Sequence, residues 1–170
     1  MRNFSGEIKS SAAKRVDKPE EAHVFEMSMR GTCQDLKEVR LYTDRRELTV
    51  GCTMSFDNEY DGVTAMSYFL GSLLSSMIHT AIKEFKQAGI VMDEIEGILH
   101  ARLKNPLRMV PVRGYDDPPD IESIHVKLFY YADGDEEELN ALLIKTQEVN
   151  PIYRLVSRSV DVKLDAEWVL

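Results

Sequence analysis

From Val63 to Phe85 apolar side chains return every three or four residues: Val63, Met66, Phe69, Leu70, Leu73, Leu74, Met77, Ile78, Ala81, Ile82 and Phe85. That period predicts one long helix. The stripe is wide, which predicts burial on more than one side. Gly89 suits a left-handed C-cap, and Lys83 and Lys86 sit near the negative end of the helix dipole. Gly71, Ser72, Ser75 and Ser76 are small enough to let a neighbour approach closely, and in a chain of 170 residues a second subunit is one candidate for that neighbour. Whatever else the chain does, it must build a core around this helix.

Around the helix the period drops to two. His23 to Arg30, Lys37 to Thr43 and Glu47 to Phe56 alternate, the last with Leu48, Val50, Cys52 and Met54 on one face. Tight polar connections at Gly31 to Asp35 and at Asp44 predict an antiparallel meander. After the helix, Asp93 to Lys104 alternates with Ile95, Gly97, Leu99, Ala101 and Leu103 on one face. Residues 105–120 form a long connection with four prolines, a length often associated with function or mobility. Ile121 to Ala132 is another strand, and Asp133-Gly134 turns the chain into an acidic helix start, Asp135 to Glu138, that complements the dipole. Asn150-Pro151 reads as an N-cap with proline at the first helical position. The final strand, Ser159 to Leu170, alternates most cleanly of all. Strands grouped around segregated helices predict an α+β fold: a polar N-terminal arm over residues 1–22, then a single domain over 23–170.

Composition narrows the classes of function. A net charge of -8 disfavours binding to nucleic acid and docking on an anionic membrane. No apolar run reads as approaching the roughly 20 residues of a spanning helix. The N-terminus has no apolar signal region. A cytoplasmic location is expected. Cys33 and Cys52 match no metal spacing, and a reducing compartment argues against a structural disulfide. They read as small apolar residues, with a redox pair on neighbouring strands as the alternative. No metal site is expected from His23, His79, His100 and His125, although His100 and His125 lie on strands that are candidates to pair. Ser75 and Ser76 precede His79 by one helical turn, the spacing of an activated serine, but no third group or oxyanion hole accompanies them. No phosphate-binding loop or dinucleotide fingerprint is present, so no cofactor is expected.

The stretch from Gly62 to Ile90, ending Phe85-Lys-Gln-Ala-Gly-Ile90, and the later Asn150-Pro-Ile-Tyr-Arg-Leu-Val156 resemble two landmarks of the OsmC/Ohr family of thiol peroxidases. The resemblance covers about residues 23 to 170. It implies an intertwined homodimer with the long helices packed between sheets. It also implies a cysteine at each landmark, one to attack peroxide and one to resolve it; here those positions are Ser76 and Asn150. A serine hydroxyl is barely ionised at neutral pH and cannot cycle through a sulfenic acid. The family's acid, one segment before the first cysteine, corresponds to Ala65-Met66-Ser67, and its arginine to a stretch within Met54 to Asp61; neither residue is present there. Arg30, Arg45 and Arg46 are the nearby alternatives.

The expectation is therefore an OsmC-like homodimer without the cysteine peroxidase centre. It keeps a small apolar interface pocket for a hydrophobic ligand or an interaction, lined by Met66, Phe69, Leu73, Ser76, Met77 and Asn150. The alternative is a divergent thiol-dependent hydroperoxide reductase using Cys33 or Cys52. A third possibility is a purely structural dimer whose pocket is filled.

Overall fold

The computed structural model describes residues 27–169 apart from Asp35, Asp44, Pro111, Val112 and Tyr115. The arm expected over 1–22, and His23, lie outside the described residues. Where sequence predicts one domain over 23–170, the chain divides into two compact units, one ending at Thr49 and the other running from Val50 onward.

The first unit carries a small sheet in the order β1-β2-β3, from Arg30–Thr32, Val39–Tyr42 and Glu47–Val50, the last residue falling across the division. β1 and β2 pair antiparallel, with Gly31 opposite Leu41. Gly31 and Thr32 thus belong to a strand and not to the expected turn. The third strand stops at Val50, short of Phe56, because the chain turns away to meet the start of the long helix. Cys52 forms an isolated bridge with Thr64 instead of continuing the ladder.

In the second unit the long helix α1 spans Ala65–Gln87. Thr64 caps it, its side-chain oxygen accepting the Ser67 N–H, while the Ala65 and Met66 N–H groups are taken by the Cys52 and Thr53 carbonyls. The donors that a helix start leaves over are thereby satisfied. At the other end Gly89 adopts φ +77 and the Ile90 N–H returns to the Phe85 carbonyl, closing the helix as a left-handed cap.

α1 packs on a three-stranded sheet in the order β4-β5-β6, from Met92–Lys104, Asp120–Ala132 and Asp161–Trp168. β4 and β5 are antiparallel. β5 and β6 run parallel, which departs from an all-antiparallel sheet. The reason is the crossover between them: α2 (Glu136–Thr146), a 3₁₀ turn (Gln147–Val149) and α3 (Pro151–Val156) carry the chain back to the starting end of β5. Asp135 caps α2 by accepting from the Glu137 and Glu138 N–H groups. In the long connection, Pro106–Met109 forms a 3₁₀ turn and the Asn105 amide donates to the Pro118 carbonyl.

The core lies between α1 and the sheet. Leu73, Met77, Ala81 and Phe85, spaced one turn apart, are fully buried, as are Val126 and Leu128 on β5. The Phe85 and Tyr130 rings meet edge to face at 5.7 Å. Gly97 on β4 permits the close approach: a Cβ there would stand 2.7 Å from Leu74 Cδ1 and 2.9 Å from Leu128 Cδ2. By length and composition α1 is also apolar enough to cross a membrane, which corrects the expectation that no run comes near that size. Its packing on the sheet gives the apolar stripe another account.

Candidate functional site

The two landmark positions meet. Asn150, completely buried before α3, donates from Nδ2 to Ser76 Oγ on α1 at 3.2 Å, across 74 residues of sequence. Asn150 comes to this spot as the N-cap of α3: its Oδ1 accepts from the Ile152 and Tyr153 N–H groups at 3.0 and 3.1 Å. Those two bonds set which amide atom is oxygen, so Nδ2 must face α1. Its second hydrogen goes to Gln147 Oε1 at 3.0 Å.

Gln147, also fully buried, extends the network. Its Nε2 donates to the Met77 carbonyl at 3.1 Å and to Thr146 Oγ1 at 3.0 Å, and Thr146 in turn donates to the Leu143 carbonyl at 2.6 Å. Ser76 donates its own proton to the Leu73 carbonyl at 2.7 Å. Both amides therefore have every N–H and each carbonyl oxygen engaged. A buried polar network satisfied to this degree is rigid and has no capacity left for a substrate. Ser76 has no base within reach, because its hydrogen is held by a backbone carbonyl and its oxygen faces an amide donor.

The neighbouring serine is no better placed. His79 Nδ1 lies 2.8 Å from the Ser75 carbonyl, an acceptor only, so Nδ1 carries the proton. Ser75 Oγ, 3.4 Å from the same nitrogen, cannot give its proton to it. His100 and His125 do stand opposite each other in the β4–β5 register, and His125 Nε2 pairs with Asp165 Oδ2 at 2.7 Å. The Lys163 ammonium, then His125, hold the Asp165 carboxyl below its ordinary range. Among the described residues no three His, Cys, Asp or Glu side chains gather as a metal site would require. Cys33 and Cys52 are both free thiols, one in each unit.

The residues expected to line one apolar pocket take different places. Leu73 and Met77 are in the core, Asn150 is in the polar network, and Ser76 is half-buried beside it. Phe69 is 40% exposed. Met66 lines a cleft of about 280 Å³ at the start of α1, with Met54, Asp57, Tyr60, Ser67 and Leu70. One wall of the cleft is Tyr60, whose hydroxyl occupies the space that a Cβ on Gly51 or Gly62 would take. Ser55 and Asp57 brace the loop by accepting the Asp57 and Glu59 N–H groups. The lining is apolar on the α1 side and rich in oxygen on the loop side, and it includes no cationic residue. The α1 dipole adds no anion site, since its first N–H groups are already bonded.

Sequence reasoning located Ser76, Asn150 and Met66 but missed Gln147, Thr146 and Tyr60. For Gln147 the available signal was its position three residues before an N-cap asparagine. For Tyr60 there was none, because two separate glycines make its seat.

Comparison with known proteins gives this geometry a context. The model of the OsmC-like protein family matches residues 56–165. No curated protein sequence matches the chain. Among solved structures, an OsmC-like protein from Mycoplasma pneumoniae superposes with a TM-score of 0.70 at 11% identity, covering 86% of this chain and 99% of that one. An organic hydroperoxide resistance protein OsmC from Legionella pneumophila gives 0.59 at 16% identity, covering 85% and 98%. The organic hydroperoxide resistance protein OhrB of Bacillus subtilis gives 0.57 at 19% identity, covering 84% and 98%. At these identities the likeness is one of fold.

Proposed function

Because the chain belongs to the OsmC-like family and its resemblance to that family's thiol peroxidases sets Ser76 and Asn150 at their cysteine positions, we propose that it is a non-peroxidase member of the family, a homodimer that binds a small apolar molecule. The observation that carries this reading is the Asn150–Ser76 hydrogen bond inside a fully satisfied buried network. The two positions that would form a redox couple are instead tied as a polar link between α1 and α3. Neither Ser76 nor Asn150 can supply the thiolate that attacks an O–O bond.

The ligand site in this reading is the cleft at the start of α1. Its volume of about 280 Å³ is just under the range usual for small-molecule pockets. Met54, Met66 and Leu70 would take the apolar part of the ligand, and the oxygen-rich loop side its polar end. An uncharged head group suits this lining, since no cation is present to neutralise a carboxylate. Phe69 and Ile82, 40% and 43% exposed on either side of the buried strip of α1, support burial against a second copy. A soluble protein of the cytoplasm is the setting that fits these features.

A second reading keeps peroxide chemistry and moves it to Cys33 or Cys52. It draws on one observation: Cys52 lies at the start of α1, its carbonyl holding the Ala65 N–H, next to residues of the cleft. Dithiol-dependent consumption of an organic hydroperoxide, measured beside a Cys33→Ser/Cys52→Ser variant, separates the two. The proposal expects no turnover in either protein. Turnover that disappears in the variant would overturn it in favour of a relocated thiol.

A further inference from the structure

Tyr60 is the one aromatic ring among the residues that line the cleft at the start of α1, and the fold reserves its place. The segment after β3 and the segment entering α1 run side by side: the Gly51 N–H donates to the Val63 carbonyl at 3.0 Å, and Cys52 bridges to Thr64 in parallel. Residues 54–61 leave and return at this neck, and the Tyr60 N–H closes a turn on the Asp57 carbonyl at 3.2 Å. The Tyr60 ring folds back onto the neck. A Cβ on Gly51 would overlap its hydroxyl and stand 3.0 Å from Cζ, and one on Gly62 would stand 2.6 Å from Cζ and 3.1 Å from Cε1.

Neither glycine is there for its backbone. The described glycines in the left-handed region are Gly89, Gly114 and Gly134, so φ at Gly51 and Gly62 does not call for glycine. A glycine in such a position adds freedom to the unfolded chain and lowers stability. What the two positions share is the Tyr60 ring, which occupies the space of both missing side chains. The ring therefore cannot retreat towards the neck, because backbone stands behind it. Its neighbours in the lining differ. Met54 and Met66 are unbranched, with several rotatable bonds, and adapt to what they pack against. A molecule pressing on the walls can move the methionines but not the tyrosine.

We propose that Tyr60 is the residue that limits the length of the ligand this cleft accepts, and that Gly51 and Gly62 act through it as positioning residues. The proposal rests on the reading of the cleft as a site for a small apolar molecule with an uncharged polar end. It narrows the ligand class to an aliphatic chain with such an end, short enough to stop at the ring.

Straight-chain primary alcohols from butanol to decanol test the limit in the full-length protein. Binding is read from the methyl resonances of Met54 and Met66, which line the cleft. In the unaltered protein affinity should rise about fourfold per methylene and level off where the chain meets the ring. Tyr60→Ala should move the plateau to a longer alcohol and bind the first alcohol beyond the original plateau about fourfold more tightly. Tyr60→Phe keeps the ring and should keep the plateau. Gly51→Ala drives the ring from its seat and should shift the plateau, whereas Gly51→Ala/Tyr60→Ala should match Tyr60→Ala, since its new Cβ meets no ring. If Gly51→Ala fails to fold, Gly62→Ala, whose Cβ meets the same ring, takes its place. A plateau unmoved by Tyr60→Ala, no plateau in the unaltered protein, or a Gly51→Ala effect that persists in the double variant would overturn the proposal. Silence of both methyl groups in the unaltered protein and in Tyr60→Ala would instead remove the cleft as a ligand site, and this proposal with it.

Discussion

The Ser76–Asn150 junction and the cleft at the start of α1 lie on the same helix and are built in opposite ways. At the junction every polar atom is matched: Asn150 and Gln147 are fully buried, and each N–H and each amide oxygen has a partner. At the cleft the packing stops short, leaving Met54, Met66 and Leu70 beside an oxygen-rich loop with about 280 Å³ between them. The junction that the resemblance sets at the family's redox positions is closed by hydrogen bonds, and open space lies about two turns away. The difference shows that one helix can carry both a closed polar junction and an open cleft. Hydrogen-bonding residues close the first, and function is then sought where the surface stays open.

The largest expected effect breaks the closed side. Asn150→Ala removes the α3 cap and strands Gln147 Oε1 in the core, so a loss of about 3 kcal/mol is expected in urea unfolding. A loss under about 1 kcal/mol would mean that water already reaches the junction and that it is not closed. Next is the pH dependence of the adjoining core. Burial, with Glu136 adding to it, pushes the Tyr130 hydroxyl up to about 12, while its proton is donated to Asn140 Oδ1 at 2.9 Å. A raised folded-state pKa gives stability that is full below pH 10 and falls as pH rises towards 12, by about 2 kcal/mol. Tyr130→Phe should flatten that alkaline loss, measured as unfolding free energy against pH.

Smaller effects are expected where the structure is open. Thr64→Ala takes away the α1 cap beside the cleft and should cost about 1 kcal/mol in the same unfolding assay. Ser76→Ala should cost about 1 kcal/mol, since it leaves one Asn150 N–H without its partner while Asn150 keeps Gln147 and both capping bonds. If Ser76→Ala proved as damaging as Asn150→Ala, the link across α1 and α3 would be the centre of the network and the cap only an accessory. The last expectation is of no change at all. Ser76→Cys/Asn150→Cys should leave hydroperoxide turnover absent, because the acid expected at Ala65 to Ser67 and the arginine expected within Met54 to Asp61 are missing too. Turnover at rates usual for thiol peroxidases would refute that view of the site.

Much of this was legible in the chain. The 3.6-residue stripe located α1 to within two residues of Ala65–Gln87, and its capping glycine was read from position alone. The alternating segments became β4, β5 and β6 with small differences at their ends. Asn150-Pro151 was read as a helix start because a cap is a local device. The register that set Ser76 and Asn150 as a pair came from a resemblance, and the two side chains do touch. The six residues grouped as a pocket were another matter. A helical stripe names the residues that seek burial, without saying which are taken by the sheet and which face open space. Leu73 and Met77 went to the sheet, and Met66 alone of the six reached the cleft.

The division has a physical reason. Period, caps and turn residues act over a few neighbours along the chain, so the sequence by itself determined the elements and their order. Contacts between residues far apart depend on how the elements pack, and only the tertiary structure decided these. It ran β6 parallel to β5, seated Tyr60 over two glycines, and bonded Gln147 to the Met77 carbonyl across 70 residues. It also brought Lys127 to Glu167 and His125 to Asp165, since charge pairing depends on which side chains the strands bring abreast.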